Sequence, residues 1–291
     1  MRSLTARGFT LIELLVVVVL TVVILGAIYE SIGSSQRMTQ TQVQRLQVQQ
    51  DTRTAALFLT YALRELDAAD GDIRSATTSA VAIRGLRWVG VLCTAPQPAG
   101  GAVAFVLRDA LLFGMRRPNP ALDSILLFRD ADPGIRTDDG WLVGGLEESA
   151  SGTCPDLSPG TLVKATISTA SGGSDSALVG ITAGSPIRGF QMEEISLYRD
   201  GGTNWLGRRT ADRSGVWTPM QQLVGPLTAD GLAFTYFDTT GAPAATVRNI
   251  ASVGLVVRGR SLAPARLSGG GTGYVQDSVI TRVTLRNNAR F

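Results

Sequence analysis

The chain has 291 residues, 44% of them apolar and 18% charged, with 33 glycines and 12 prolines. That composition excludes wholesale disorder and a chain-long coiled coil, and its turn residues favour a β-rich body. There is no histidine, there are only two cysteines, and 27 basic residues stand against 24 acidic ones; imidazole catalysis, His-ligated zinc, zinc ribbons and iron–sulfur clusters are thereby excluded, and a net charge of +3 is weak evidence for a nucleic-acid partner.

Met1 to Gly8 is short, polar and basic. Phe9 to Tyr29 follows as 21 residues with a single charge, Glu13. At about 1.5 Å per residue this run spans roughly 30 Å, the thickness of a bilayer core. Val16 to Val19, Val22, Val23 and Ile24 make it apolar on every side, as lipid requires. Arg2 and Arg7 ahead of it predict a cytoplasmic N-terminus and an exterior C-terminal part. An ordinary signal peptide is the alternative, with a cleavage site hidden in the small residues between Glu30 and Ser35.

The order Arg7-Gly8-Phe9-Thr10-Leu11-Ile12-Glu13-Leu14 resembles the class III signal of type IV pilins and pseudopilins. In that family a glycine precedes an aromatic residue or methionine, and a glutamate lies five residues into the mature chain. The resemblance implies that prepilin peptidase cuts between Gly8 and Phe9 on the cytoplasmic side and methylates the new N-terminus. The apolar segment then stays as the anchor of a single-pass inner-membrane protein. Glu13 has a physical rationale there. A carboxylate in hydrocarbon costs several kcal/mol unless paired, and the amine freed at Phe9 lies at nearly the same depth. Glu13 of one subunit is therefore expected to neutralise the amine of its neighbour. A tolerated charge reaching the interface is the alternative.

From Glu30 to Thr54 the chain is polar, with seven glutamines and no proline, which predicts that the helix continues. Gly26 and Gly33 are its weak points. Ala55, Leu59, Ala62 and Leu66 fall at i, i+4, i+7 and i+11, flanked by Phe58 and Leu63, a stripe that should pack on a sheet. Ala68 to Gly71 ends it. Strands are predicted at Ala80–Ile83, Leu86–Leu92, Ala102–Arg108, Ser124–Phe128, Thr161–Ser168, Leu178–Thr182, Glu194–Tyr198, Gly231–Phe237, Ser252–Arg258 and Ser278–Arg286. Gly/Ser breaks fall at Ser171–Ser174 and Ser268–Gly271. The expected class is α+β. The leader is 1–8, the membrane helix 9–29, its extension 30–70, and the β-rich head 71–291, with room for two subdomains. Such a stick and head is the pilin layout.

Leu197-Tyr198-Arg199, the run Phe234-Thr235-Tyr236-Phe237-Asp238 with Gly241, and Val253 to Arg258 resemble the C-terminal half of minor pilins of the W type and pseudopilins of the J type. Thr281 to Asn287 fits the same group. This resemblance implies a minor subunit.

Several features are candidate sites. Cys93 and Cys154 lie in the exterior part, where two thiols tend to pair. Their disulfide would close a loop of about 60 residues, worth roughly 3–4 kcal/mol; two free thiols are the alternative. Asp130, Asp132, Asp138 and Asp139 form an acidic turn that is a weak calcium candidate, without the glutamate that closes an EF-hand loop. A solvated turn is the bland reading, and no metal is expected. Trp205, Trp217, Tyr236 and Phe237 beside Arg208, Arg209 and Arg213 would stack bases in a DNA-binding head; core packing is the preferred reading. Seven arginines against Asp277 from Arg248 onward read as a solvated β face. Glu193 and Glu194 adjoin, so in a strand they face opposite sides. No enzymatic frame is present, and no cofactor is expected. The expected partners are prepilin peptidase, other minor and major pilins or pseudopilins, and the membrane, with nucleic acid disfavoured. The alternatives are a J-type pseudopilin of a secretion system and a DNA-binding minor pilin.

Overall fold

The computed structural model describes residues 10–132, 134–135, 138–167, 178–266 and 271–285. The leader, Gly8, Phe9, Ser171–Ser174, Ser268 and the end of the chain from 286 lie outside the described residues.

One helix, α1 (Leu11–Arg64), runs for 54 residues, about 81 Å at 1.5 Å per residue. It passes through Gly26 and Gly33 without a break. It stops at Arg64 rather than in the expected stretch Ala68 to Gly71. The reason is local competition for backbone donors. The Asp67 carboxylate accepts from the Ala69 N–H at 2.9 Å, and the Asp72 carboxylate accepts from the Asp67 N–H at 3.0 Å. Gly71, at φ +81°, then turns the chain.

The strands follow in order: β1 Ile73–Ala76, β2 Ala80–Val91, β3 Gln97–Ala99, β4 Ala102–Arg108, β5 Phe113–Gly114, β6 Ser124–Arg129, β7 Gly140–Thr153, β8 Pro159–Ile167, β9 Pro186–Asp200, β10 Thr203–Thr210, β11 Gln221–Phe237, β12 Ser252–Arg260, β13 Ala265–Arg266, β14 Thr272–Gly273 and β15 Gln276–Thr284. All but β13 and β14 join one antiparallel sheet, ordered β15-β12-β11-β10-β9-β6-β7-β8-β4-β3. Strand β9 is the hub. One edge pairs with β2 from Pro186 to Ser196. The other edge is shared: Ile187 to Phe190 pair with β6, and Glu193 to Asp200 pair with β10. Beyond β9 the sheet forks.

Two cores fill the two arms of the fork. In the first, Ala55, Leu59 and Leu63 of α1 lie against Ile195, Leu206, Phe234, Val253, Leu255 and Val283. Leu63 takes the fully buried place that the sequence stripe gave to Ala62, which is only partly buried. Gly259 lets the helix approach: a Cβ there would meet Thr52 Cγ2 at 3.0 Å and Val48 Cγ1 at 3.2 Å. The second core gathers Trp88, Phe105, Ile125, Leu127, Leu146, Val163 and Ile187. Strands β2 and β9 serve both.

Several strand expectations change. Ala80–Ile83 and Leu86–Leu92 are one strand, β2, with an irregularity between Leu86 and Trp88. Leu178–Thr182 is a turn, not a strand, and buries Ile181. Strands β7 and β10 were not anticipated: β7 is rich in Gly, Ser and Glu and lacks alternation, and β10 holds two adjacent arginines.

Candidate functional site

The start of α1 is built by its own residues. Thr10 is the N-cap, with extended φ −84° and ψ 149°. Its hydroxyl accepts from the Glu13 N–H at 3.4 Å, while Glu13 Oε2 accepts from the Thr10 N–H and hydroxyl at 3.0 Å each. This reciprocal capping box satisfies helix donors that would otherwise be orphaned. It also gives the single carboxylate of the apolar run local donors, which lowers the cost of placing it in lipid. That pairing was not foreseen from the sequence, although Thr10 three residues before Glu13 is its signature.

From Leu11 to Ile28 the helix presents Leu, Val and Ile outward on every side. Its most apolar window has a mean hydropathy of 3.0, and by length and composition it is able to cross a membrane. The one hydroxyl in this stretch, Thr21, donates to the Val17 carbonyl at 2.7 Å, so it needs no water. Burial begins at Val48 and Thr52, where α1 meets the sheet. One helix thus holds an outward-facing apolar half and a docked half.

Cys93 and Cys154 are joined by a disulfide, with their Cα atoms 5.7 Å apart and a sequence separation of 61. The bridge ties the end of β2 to the end of β7 beside the second core. The Cys93 N–H donates to the Val106 carbonyl at 2.8 Å, and the Cys154 N–H to that of Ser158 at 2.9 Å.

The other candidates are dispersed or occupied. Asp130, Asp132, Asp138 and Asp139 lie in the connection between β6 and β7. Partial burial raises the Asp130 carboxyl above its ordinary range, and the charges of Asp139, Asp138 and Asp132 add to this. Asp132 is engaged by the Gly134 N–H at 2.9 Å, and among the described residues no group of three acid, Cys or His side chains is arranged to hold a metal. Arg208 and Arg209 bond Glu193 and Glu194, each at 2.7 Å, and Arg213 donates to the Leu146 carbonyl at 2.8 Å. The guanidinium of Arg209 lies 4.9 Å from the centre of the Trp217 ring, and that of Arg282 lies 4.1 Å from the Phe237 ring. Tyr236 donates to the Thr77 carbonyl at 2.9 Å, and its burial pushes the phenol up. The Asp238 carboxylate accepts from Thr240 and Ala242 and closes a turn in which Gly241 has φ +84°; the Phe-x-Tyr-x-Asp-x-x-Gly run is a strand end and its turn.

Sequence reasoning missed a polar network at the fork. Glu193 Oε2 accepts from Arg87 at 2.8 Å and from Arg208 at 2.7 Å. Asp123 is fully buried and accepts from Trp88 Nε1 at 2.9 Å, from Asn119 N–H at 2.8 Å and from both terminal nitrogens of Arg116. Gln191 sits between the two carboxylates, 3.4 Å from Arg87 Nε and 3.5 Å from Arg116. Gly85 makes room for the pair, since a Cβ there would lie 2.6 Å from Glu193 Oε2. The signal lay in β9, where Gln191 and Glu193 interrupt an otherwise apolar face between Ile187 and Leu197.

Residues 4–29 match the family model of the prokaryotic N-terminal methylation motif. That motif is the prepilin peptidase signal of type IV pilins and pseudopilins, and with the apolar helix it supports a membrane-inserted subunit of that kind. No curated protein and no solved structure matches the chain.

Proposed function

We propose that the chain is a minor pilin or pseudopilin, held in the inner membrane by α1 with its head outside the cytoplasm, which helps to initiate or cap a type IV pilus-like filament. One observation carries the reading. The methylation motif runs without a break into an outward-facing apolar helix, and that same helix docks into the head. A free signal peptide has no such continuation.

On this reading prepilin peptidase removes Met1–Gly8 and methylates the amine of Phe9. Glu13 of one subunit then pairs with the amine of its neighbour as the apolar halves of several helices bundle. The thirteen-stranded sheet is large for a repeated shaft unit, which supports a minor place in the filament. The work of the head is mechanical and organisational, with no catalytic step. The J-type pseudopilin belongs to the same reading, with a secretion pseudopilus as its filament.

The test is processing. Gly8→Asp should leave full-length, unmethylated protein in the inner membrane, while the wild type yields a chain starting at Phe9 with a methylated amine, as read by mass spectrometry. A mature chain starting beyond Tyr29 would show ordinary signal-peptidase cleavage and end the filament reading.

A further inference from the structure

The fork beyond β9 leaves a concavity where β6 and β10 part. A cavity of about 340 Å³ opens there, lined by Arg87, Met115, Arg116, Gln191 and Arg208 among others. It continues into a larger cavity of about 620 Å³, which shares Arg87, Met115 and Arg208 and adds Tyr61 of α1 and Leu86 of β2. Three guanidiniums, those of Arg87, Arg116 and Arg208, face two carboxylates, Glu193 and Asp123, so the network keeps a charge of 3 − 2 = +1. The buried Nε–H of Arg208 has no partner. A buried donor without an acceptor is unfavourable, and the surplus charge of the network favours an anion in the cavity beside it.

We propose that this fork pocket binds one carboxylate, presented by a peptide segment that carries an acidic residue beside an apolar one. A single surplus charge suits a monoanion. The neighbouring cavity suits an aliphatic side chain: Met115 is 78% exposed, and Tyr61 and Leu86 are exposed beside it. A nucleic acid needs a track of free cations along its backbone, whereas the surrounding arginines are spent. Arg84 pairs with Asp72, Arg209 with Glu194 and Arg213 with a backbone carbonyl, while Arg188 lies over the Trp141 ring. That the segment belongs to a neighbouring filament subunit rests on the reading above; the binding itself does not.

The test titrates detergent-solubilised full-length protein with two peptides, N-acetyl-Leu-Glu-Leu-amide and its Gln counterpart, and with a short oligothymidylate. The Glu peptide should bind at least about tenfold more tightly than the Gln peptide, the value of one charge-assisted hydrogen-bonded contact. Arg208→Gln should remove that preference, because Glu193 keeps Arg87. Met115→Glu should do the same by placing a competing carboxylate at the mouth, and its exposed position spares the fold. If Arg208→Gln does not fold, Met115→Glu and Arg208→Lys carry the test, with Lys keeping part of the preference. Equal binding of the two peptides, no binding of either at roughly 10 mM, or oligothymidylate binding that outcompetes the Glu peptide would each overturn the proposal. The readout does not depend on filament entry, so its failure is distinct from a failure of the processing test.

Discussion

Two substitutions separate the observed role of Glu13 from its proposed one. The first is local. Its carboxylate closes the capping box with Thr10, worth about 1 kcal/mol to the helix start. Glu13→Ala removes it, whereas Glu13→Gln keeps it, because glutamine serves the same box. The second role is the proposed pairing with a neighbour's amine at Phe9. Both substitutions abolish it and leave an unpaired buried charge, a penalty of about 3–5 kcal/mol. That converts to a loss of about 100-fold or more in association. Insertion of the single subunit should be normal or better in both, since a charge has left lipid. The assay is co-purification of filament partners from membranes at matched expression, with processing followed by mass spectrometry. Equal, severe loss in both variants is the expected result. Normal association of Glu13→Gln with loss in Glu13→Ala would assign Glu13 to helix capping alone. Normal association in both would make it a tolerated charge. Either outcome refutes the pairing.

Replacing Cys93 and Cys154 by serine should lower head stability by about 4 kcal/mol, the loop-closure value for the 61-residue separation; denaturant midpoints with and without the bridge measure it. Leu59→Ala empties a fully buried site between α1 and the sheet and should cost about 2–5 kcal/mol, read in the same titration. The Asp156 carboxyl is lowered from 3.8 to about 2 by hydrogen bonds from Ser158 and Arg108. Its stabilisation is therefore complete above the ordinary carboxylate pKa and is lost as pH falls from 3.8 toward about 2. Thermal melts of Asp156→Asn should fall below wild type at neutral pH and converge with it at the acid end.

The helix and its two halves were legible because each rests on a strong, local pattern: an unbroken apolar run, then a stripe at helical spacing. The strands β4 and β12 were legible for a similar reason: β4 is an almost unbroken apolar run, and β12 sets Val253, Leu255 and Val257 against Ser252, Gly254 and Arg258. Strand β7 was not. Its residues Glu147 to Ser151 carry no apolar alternation, and they are held by pairing with β8 instead; that is a tertiary override of a weak local preference. The fork network was hidden more deeply. Arg87, Asp123, Glu193 and Arg208 come from separate stretches of the chain and meet only because β9 pairs with β2 on one edge and with β6 and β10 in turn along the other. The capping box, by contrast, was readable from Thr10 and Glu13 alone.

Sharing β2 and β9 between the two cores has a thermodynamic consequence. Ala80 to Val91 pair with β9 on both sides of the irregularity between Leu86 and Trp88, and residues of both strands are buried in each core. Losing the register of that pairing dissolves both apolar clusters together. The head therefore melts as one cooperative unit rather than as two arms in succession. Partly opened states, with sheet edges free to pair with other chains, are correspondingly scarce. On the proposed reading, that all-or-none behaviour protects from aggregation a subunit that waits in the membrane before it meets its partners.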